Sequence, residues 1–307
     1  MISVGFDTSN YTTSIAYFSK SDFQNCSQLL PVKSGELGLR QSDAVFHHTQ
    51  SLPELSGRLF SNVNASDIAC VGVSTKPRMV EGSYMPCFSV GYSHARLLSE
   101  TLHVPLIQCS HQQGHVAAAL YSAGRPDLMD EPHLAWHLSG GTTELLLIEP
   151  DQYNVRCTKI GGTSDISAGQ LIDRTGQLLG LPFPAGKHVD LISQEALNKD
   201  FYRVKCSNLT FSLSGIQNKV QQYFEKTCSS DETAAYALRC VCNAVEMVTQ
   251  DAMKMYPGLS VVFSGGVASN SMLRSAVAHM NPIFAQPEYS RDNALGVSII
   301  AYRAMEG

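Results

Sequence analysis

Leu134-Ala135-Trp136-His137-Leu138-Ser139-Gly140-Gly141-Thr142-Thr143-Glu144-Leu145-Leu146-Leu147-Ile148 is the stretch on which the fold turns. Two apolar runs flank a short segment of hydroxyls and glycines, which is the composition of two strands joined by a tight polar turn. The N-terminus has the same plan: Ile2–Phe6, then Asp7-Thr8-Ser9-Asn10-Tyr11-Thr12-Thr13, then Ser14–Phe18. A constant offset of 130 lays Ser9 on Ser139, Thr12 on Thr142 and Thr13 on Thr143 without a gap. The identities fall at the turn in both copies, where chance repetition of apolar strands would not put them, so the spacing predicts a duplicated lobe.

A third turn of this kind follows the apolar run Leu259–Phe263: Ser264-Gly265-Gly266-Val267-Ala268-Ser269-Asn270, leading into a helical stretch from Ser271 to His279. Strand, glycine turn and helix make an anion cradle, because glycines let backbone N–H groups approach a phosphate and the helix N-terminus favours its charge. Each Gly-Gly pair alone is an ordinary tight turn. Three polar turns after apolar strands, however, are what a two-lobed, actin-like and sugar-kinase-like α/β nucleotide fold needs. The phosphates would lie between the hairpins, in a cleft between the lobes. The division expected is 1–125 for the first lobe, with a C-terminal helix from 290–307 packing on it, and 126–289 for the second.

The rest of the chain is compatible with such a fold. Of 307 residues, 44% are apolar and 16% charged, too hydrophobic for a disordered chain. Lys+Arg 22 against Asp+Glu 27 leaves a net charge of −5, so no global basic field recruits nucleic acid, and an RNA contact would need a local patch or a partner. The nine cysteines include no C-x-x-C pair and read as reduced core residues. No basic leader and no membrane-length apolar run is present, so a cytoplasmic protein is expected. Leu238, Val241, Cys242, Val245, Val248 and Ala252 recur at helical spacing. Residues 20–56 read as polar and mixed, and Gly180–Gly186 as a loop. Asn293–Met305 reads as a terminal helix with Asp292 or Ser290 at its N-cap.

Few residues are candidates for chemistry. His111-Gln112-Gln113-Gly114-His115 places two imidazoles at i and i+4, on one side of a helical turn, where they can share a divalent metal; a third ligand must come from elsewhere. Gly180-x5-Gly186-Lys187-His188 imitates a P-loop but has His188 where a Ser or Thr would meet magnesium. No G-x-S-x-G elbow and no local Cys/His protease signature is present.

Taken in order, these segments resemble the TsaD family, also called the Gcp or glycoprotease-like family, of tRNA threonylcarbamoyladenosine synthases. The resemblance runs nearly end to end. It covers Gly5-Phe6-Asp7-Thr8-Ser9, His111 and His115, Ser139-Gly140-Gly141-Thr142-Thr143 and Ala168-Gly169-Gln170-Leu171-Ile172-Asp173. It continues through Leu178–Gly186, Phe211-Ser212-Leu213-Ser214-Gly215, Gly265–Asn270 and Asp292-Asn293. The resemblance implies the actin-like, sugar-kinase-like (ASKHA) fold and one divalent metal, iron or zinc, on His111, His115 and Asp292. It implies an adenine nucleotide on Leu138, Ser139, Gly140 and Gly141, with Asp173 and Gly186 on the ribose side and Asn270 near the base or sugar. The implied reaction is transfer of a threonylcarbamoyl group from threonylcarbamoyl-adenylate to the tRNA adenosine next to the anticodon. Protein partners of that pathway, or a homodimer, are implied with it, and no catalytic side chain is assigned.

The departures from the family's pattern matter as much. Tyr11-Thr12 stands where the family's first hairpin carries an Asp-Glu pair, Gln113 where an acid lies between the histidines, and Thr142 where a His follows Gly-Gly. Ile166 and Gln170 also replace acids, and Thr75-Lys76-Pro77-Arg78 replaces a glycine-rich segment. Most of these changes remove an ionisable group from the expected cleft. Two functions are therefore expected in competition: the transferase, in original or divergent form, and a weakened nucleotide- and metal-binding paralog serving as scaffold or regulator of a transferase complex. A metalloprotease is disfavoured, because Gln112 and Gln113 follow His111 where H-E-x-x-H needs its glutamate. Lys76, Arg78, Arg96, Arg174, Lys187 and Lys219 are candidates for a local RNA-facing surface.

Overall fold

The computed structural model describes residues 1–9, 11–31, 39–290 and 292–306. They divide into two compact units: Met1–Glu131 with Glu149–Cys157 and the stretch from Tyr289, and Pro132–Ile148 with Thr158–Glu288. The first unit contains β1 (Ile2–Asp7), β2 (Thr12–Phe18), β3 (Phe23–Leu29), α1 (Gln41–Phe60), β4 (Ile68–Lys76), α2 (Phe88–Leu102), β5 (Leu106–Ser110) and α3 (His111–Ser122). The chain continues with β6 (His133–Leu138), β7 (Thr143–Asp151), β8 (Asn154–Thr163), α4 (Ala168–Leu178), α5 (Gly186–Ser193), β9 (Cys206–Ser207) and β10 (Thr210–Phe211). It ends with α6 (Ser214–Thr227), α7 (Ser230–Met255), β11 (Val261–Ser264), α8 (Ser271–Val277), β12 (Ile283–Phe284) and α9 (Leu295–Glu306), the last belonging to the first unit.

The strand orders make the duplication explicit. The first sheet runs β3-β2-β1-β4-β5 and the second β8-β7-β6-β11-β12, with β10 and β9 added beyond β8. The hairpins share their register as well: Asp7 faces Ser14 across β1 and β2, and 130 residues later His137 faces Glu144 across β6 and β7. In each sheet the first strand of the hairpin also pairs in parallel with a later strand, β1 with β4 and β6 with β11. A one-residue slip would turn every apolar side chain to the wrong face, so the shared register reflects shared burial.

Each unit has its own core. Val4, Phe6, Ile15, Leu52, Leu55, Val71 and Val73 pack together in the first. In the second, Trp136 lies fully buried near the ring of Phe211 and donates its indole N–H to Thr249 Oγ1 at 2.9 Å. The helical periodicity read from Leu238 to Ala252 is the buried face of α7, whose N-cap Ser229 accepts from Glu232 N–H. Asp231 and Glu232 in its first turn and Lys254 in its last complement the helix dipole.

Three local expectations are corrected. Residues 20–56 contain β3 and most of α1, whose one-sided apolar pattern is weakened by polar residues and by Pro53. The terminal helix starts at Leu295, because the Asn293 side chain accepts from Leu295 N–H; Asp292 is turned elsewhere, and the alternative cap, the Ser290 side chain, lies outside the described residues, as does Asn10 at the first turn. All nine cysteines are free thiols, but Cys228 is exposed and Cys157 and Cys206 only half-buried. No described helix is long and apolar enough to cross a membrane.

Candidate metal centre and glycine turns

The histidine pair owes its position to two local devices. Ser110 caps α3 with a reciprocal box: its Oγ accepts from Gln113 N–H at 3.3 Å while Gln113 Oε1 accepts from Ser110 N–H at 2.8 Å. That makes His111 the first helical residue and puts His115 one turn on. Gly114, between them, lets α3 lie directly on α9, and a Cβ on Gly296 would fall 1.8 Å from the Gly114 carbonyl oxygen. The same contact brings the segment before α9, and with it Asp292, to the histidines.

His111 Nε2 and His115 Nε2 lie 2.9 Å apart. Asp292 Oδ1 is 3.5 Å from the first and 3.3 Å from the second. Two ligands, each about 2.1 Å from a zinc-like ion, are separated by about 3.4 Å at the tetrahedral angle, so the donor set suits a divalent metal in both type and spacing. Among the described residues, His111, His115 and Asp292 are the group of metal-type side chains that converges in this way. Asp292 is thus not a helix cap but a carboxylate aimed at the imidazoles.

Asp7, at the end of β1, completes the arrangement. Its Oδ2 lies 2.8 Å from His111 Nδ1, and its Oδ1 accepts from Ser9 N–H at 2.9 Å. An ionised carboxylate can only accept, so Nδ1 carries the proton, and neutral His111 presents a free lone pair at Nε2. Burial pulls the His111 imidazole down, but the Asp7 and Asp292 carboxylates outweigh it and push it up to about 10. Burial pushes Asp292 up, yet its hydrogen bonds to His111 and His115 hold it well below the usual carboxylate range. Asp7 follows the same pattern, with burial opposed by the His111 charge and held below its ordinary value. The metal-free centre is therefore an imidazolium between two carboxylates, and a metal would take the proton's place. The sequence contained Asp7 in a matching motif but gave no sign that it orients His111. That role appears only once β1 and β5, on either side of β4, bring their C-terminal ends to one edge of the sheet.

In the second unit, the residues expected around a nucleotide lie at the end of β6 (Leu138 to Gly141), within α4 (Asp173) and at the starts of α5 (Gly186) and α8 (Asn270). Ser139 N–H donates to the Thr142 carbonyl at 2.8 Å, closing the turn, and Ser139 Oγ accepts from Thr142 N–H. Ser167, the cap of α4, donates to the Gly140 carbonyl at 2.6 Å. Gly169 and Gly265 exist for close approach: a Cβ would fall 2.4 Å from the Ser139 oxygen in one case and 2.1 Å from the Leu138 oxygen in the other, and Gly265 has φ +93°. Gly140, Gly141, Gly186 and Gly266 differ, since a Cβ on any of them would meet nothing within 4 Å. Asp173 accepts from Ala185 N–H at 2.8 Å, fixing the approach to Gly186. Asn270 caps α8 by accepting from Leu273 N–H at 3.0 Å, so its side chain is already committed.

Three of the residues that replace acids have a structural use in this chain. Gln113 and Gln170 are the third residues of matching capping boxes on α3 and α4. Gln113 also donates through Nε2 to the Val155 carbonyl at 2.6 Å, which a carboxylate could not do. Ile166 packs against the apolar core of its unit. The loss of ionisable groups expected at these three positions is therefore a matter of capping and packing. Thr12 is different, for its Oγ1 donates to Asp292 Oδ2 at 3.3 Å. Of the candidate basic residues, Arg96 pairs with Glu100, Arg174 donates to Gln217 on α6, Lys219 of the same helix sits over the Tyr202 ring, Lys187 lies in α5, and Lys76 ends β4 with Arg78 just beyond it.

The chain is similar to known proteins in sequence and in fold. The model of the family described as TsaD, tRNA N6-adenosine threonylcarbamoyltransferase, matches residues 36–298. The tRNA N6-adenosine threonylcarbamoyltransferase of Streptococcus suis (strain 05ZYH33) is 33% identical over 231 residues, which are 72% of this chain and 65% of that protein. The chain thus spans less than two thirds of the length of that relative. Among solved structures, full-length HypF in its phosphate- and nucleotide-bound form aligns with a TM-score of 0.63 at 15% identity, covering 99% of this chain and 47% of HypF. A ROK family glucokinase from Streptomyces griseus, in complex with glucose and AMPPNP, aligns at 0.54 with 9% identity, covering 99% of this chain and all of the kinase. These likenesses concern the fold alone, and it is the actin-like, sugar-kinase-like α/β fold read from the repeated hairpins.

Proposed function

The chain belongs to the TsaD family of tRNA N6-adenosine threonylcarbamoyltransferases, and from that premise we propose that it transfers a threonylcarbamoyl group from threonylcarbamoyl-adenylate to a tRNA adenosine. The observation that carries the proposal is the convergence of His111 Nε2, His115 Nε2 and Asp292 Oδ1 in a chain of that family. These three residues would hold one divalent ion, iron or zinc as the family resemblance implies, and two imidazoles with a carboxylate are compatible with either. When bound, it supplies Lewis-acid polarisation of a carbamoyl or phosphate oxygen. Asp7 keeps the His111 proton on Nδ1, so that Nε2 stays available. The open backbone at Gly140, Gly141 and Gly186 accepts the adenylate, with Leu138 and Ser139 forming the turn and Asp173 and Asn270 fixing the flanking helices. The exocyclic amine of the acceptor bonds the carbamoyl carbon, AMP departs with the electrons of the broken C–O bond, and one amine proton is released. With tRNA as acceptor the work is cytoplasmic, and proteins of the same pathway are its natural partners.

Tyr11 and Thr12 favour a second reading, in which the chain binds metal and nucleotide and supports a related transferase, because neither carries the negative charge that a carboxylate at those positions would supply as base or cation ligand. A single assay separates the two. The metal-loaded chain is mixed with threonylcarbamoyl-adenylate and unmodified tRNA, and the digested nucleosides are weighed by mass spectrometry. Equal amounts of AMP and threonylcarbamoyladenosine are expected, and both should vanish in the His111→Ala, His115→Ala variant. Bound but unconsumed adenylate would select the supporting role, and failure to bind metal and adenylate would overturn both readings.

A further inference from the structure

We infer that Thr12 is a positioning residue that holds Asp292 as a one-oxygen metal ligand, an inference that rests on the metal reading above. The three candidate ligands are not equally constrained. His111 and His115 ride on α3, which is capped by Ser110 and Gln113 and pressed against α9 at Gly114. Asp292 lies before α9, outside any helix or strand, and its side chain is 29% exposed. Nothing in regular structure fixes its rotamer, so its direction depends on what its two oxygens touch.

Those oxygens are divided. Oδ1 faces the two Nε2 atoms, and Oδ2 accepts from Thr12 Oγ1 at 3.3 Å. Thr12 is well suited to hold it. It opens β2 in register with Leu29 of β3, its N–H donates to the Ser9 carbonyl, and it is only 9% exposed. A β-branched side chain on a strand has few rotamers, so the hydroxyl is aimed rather than merely near. With Oδ2 engaged, a swing of Asp292 toward water breaks the bond to Thr12, and a turn that chelates with both oxygens strains it. This also gives a physical meaning to the departure at this position. An acid at residue 12 would repel Asp292, whereas threonine donates to it, so the substitution exchanges a charge for a support.

Outer-layer partners of metal ligands typically contribute 10- to 100-fold in affinity. Cobalt(II) titration of the full chain, read by its visible d–d bands, tests the inference. Thr12→Val keeps the shape and removes the donor; it should weaken cobalt binding about 10-fold and shift the bands, while Thr12→Ser should restore both. In an Asp292→Ala background, Thr12→Val should have no further effect, because the hydroxyl acts through Asp292. Circular dichroism of each variant keeps misfolding apart from ligand loss, and Thr12→Ala, which also removes the donor, carries the test with the same expected weakening if the Val variant does not fold. Wild-type affinity and spectrum in Thr12→Val, or an equal loss with and without Asp292, would overturn the role of Thr12 while leaving the metal centre intact. A wild-type chain that takes up no cobalt would instead overturn the metal reading and this inference with it.

Discussion

The two units repeat one strand plan and one hairpin register, yet the candidate sites they carry are built from different parts of the chain. The first presents side chains, two imidazoles and a carboxylate, steered by Asp7 and Thr12. The second presents backbone, the turns at Gly140, Gly141, Gly186 and Gly266, where no side chain fills the space. A side-chain site is destroyed by removing atoms, and a backbone site by adding them. The duplicated scaffold therefore carries opposite chemistries at different strand ends: the histidines follow β5, the counterpart of β12, whereas the turns at Gly140 and Gly266 follow β6 and β11, the counterparts of β1 and β4.

The sharpest contrast is expected from removing imidazoles. His111→Ala with His115→Ala should lower metal affinity at least 100-fold by isothermal titration calorimetry, with AMP binding unchanged. A parallel loss of AMP binding would break the comparison, since each unit would then depend on the other. Glycine substitutions test the other side. Gly265→Ala, at positive φ and against Leu138, should cost about 3 kcal/mol in chemical denaturation. Gly140→Ala and Gly186→Ala should change stability by less than about 0.5 kcal/mol yet weaken AMP binding by about tenfold. Unaltered AMP binding in both would remove the backbone cradle from the account.

Acid should also distinguish the units. His48, fully buried on α1 with Nδ1 2.7 Å from Thr13 Oγ1, has its imidazole pulled down to about 4 by burial, partly opposed by Asp7. Because the folded value lies below the unfolded one, its contribution is complete above pH 6.5 and is lost as the pH falls toward 4. The loss is up to about 3 kcal/mol. Hydrogen exchange of α1 at pH 5 and 7 should show it, and a His48→Leu variant should not. The smallest effect belongs to Asp165 in the second unit. Burial raises its carboxyl, but hydrogen bonds from Ser212, Ser214 and Leu213 N–H at the start of α6 bring it down to about 2. That support is complete above the ordinary carboxylate range and is lost only as the pH falls through about 2. Asp165→Ala should cost about 1 kcal/mol, as loss of a helix cap does, visible as faster exchange in α6. Equal acid sensitivity of α1 and α6 would contradict the assignment.

What could be read from the residues follows the same division. Ser9, Thr12 and Thr13 against Ser139, Thr142 and Thr143 disclosed the duplication because turn residues are chosen for backbone shape, and shape repeats with topology. His111 and His115 were visible because i and i+4 is a helical relation that needs no knowledge of the fold. Asp292 was visible only through the family resemblance: its bond partners lie 177 and 181 residues away in the chain, and its local setting is that of an N-cap. Gln113 and Gln170 misled for the opposite reason, since a residue between two histidines suggests chemistry, while Ser110 and Ser167 had already enlisted them as caps. Residues 20–56 hid α1 because its buried face includes His48 and Ser51 among its leucines.

Native mass spectrometry of the purified chain with AMP and zinc, beside the His111→Ala, His115→Ala variant, tests the central claim most directly. One divalent ion and one nucleotide per wild-type chain, with the ion lost and the nucleotide kept in the variant, is the predicted result. An ion retained by the variant, or a wild-type chain that carries neither ligand, would contradict it.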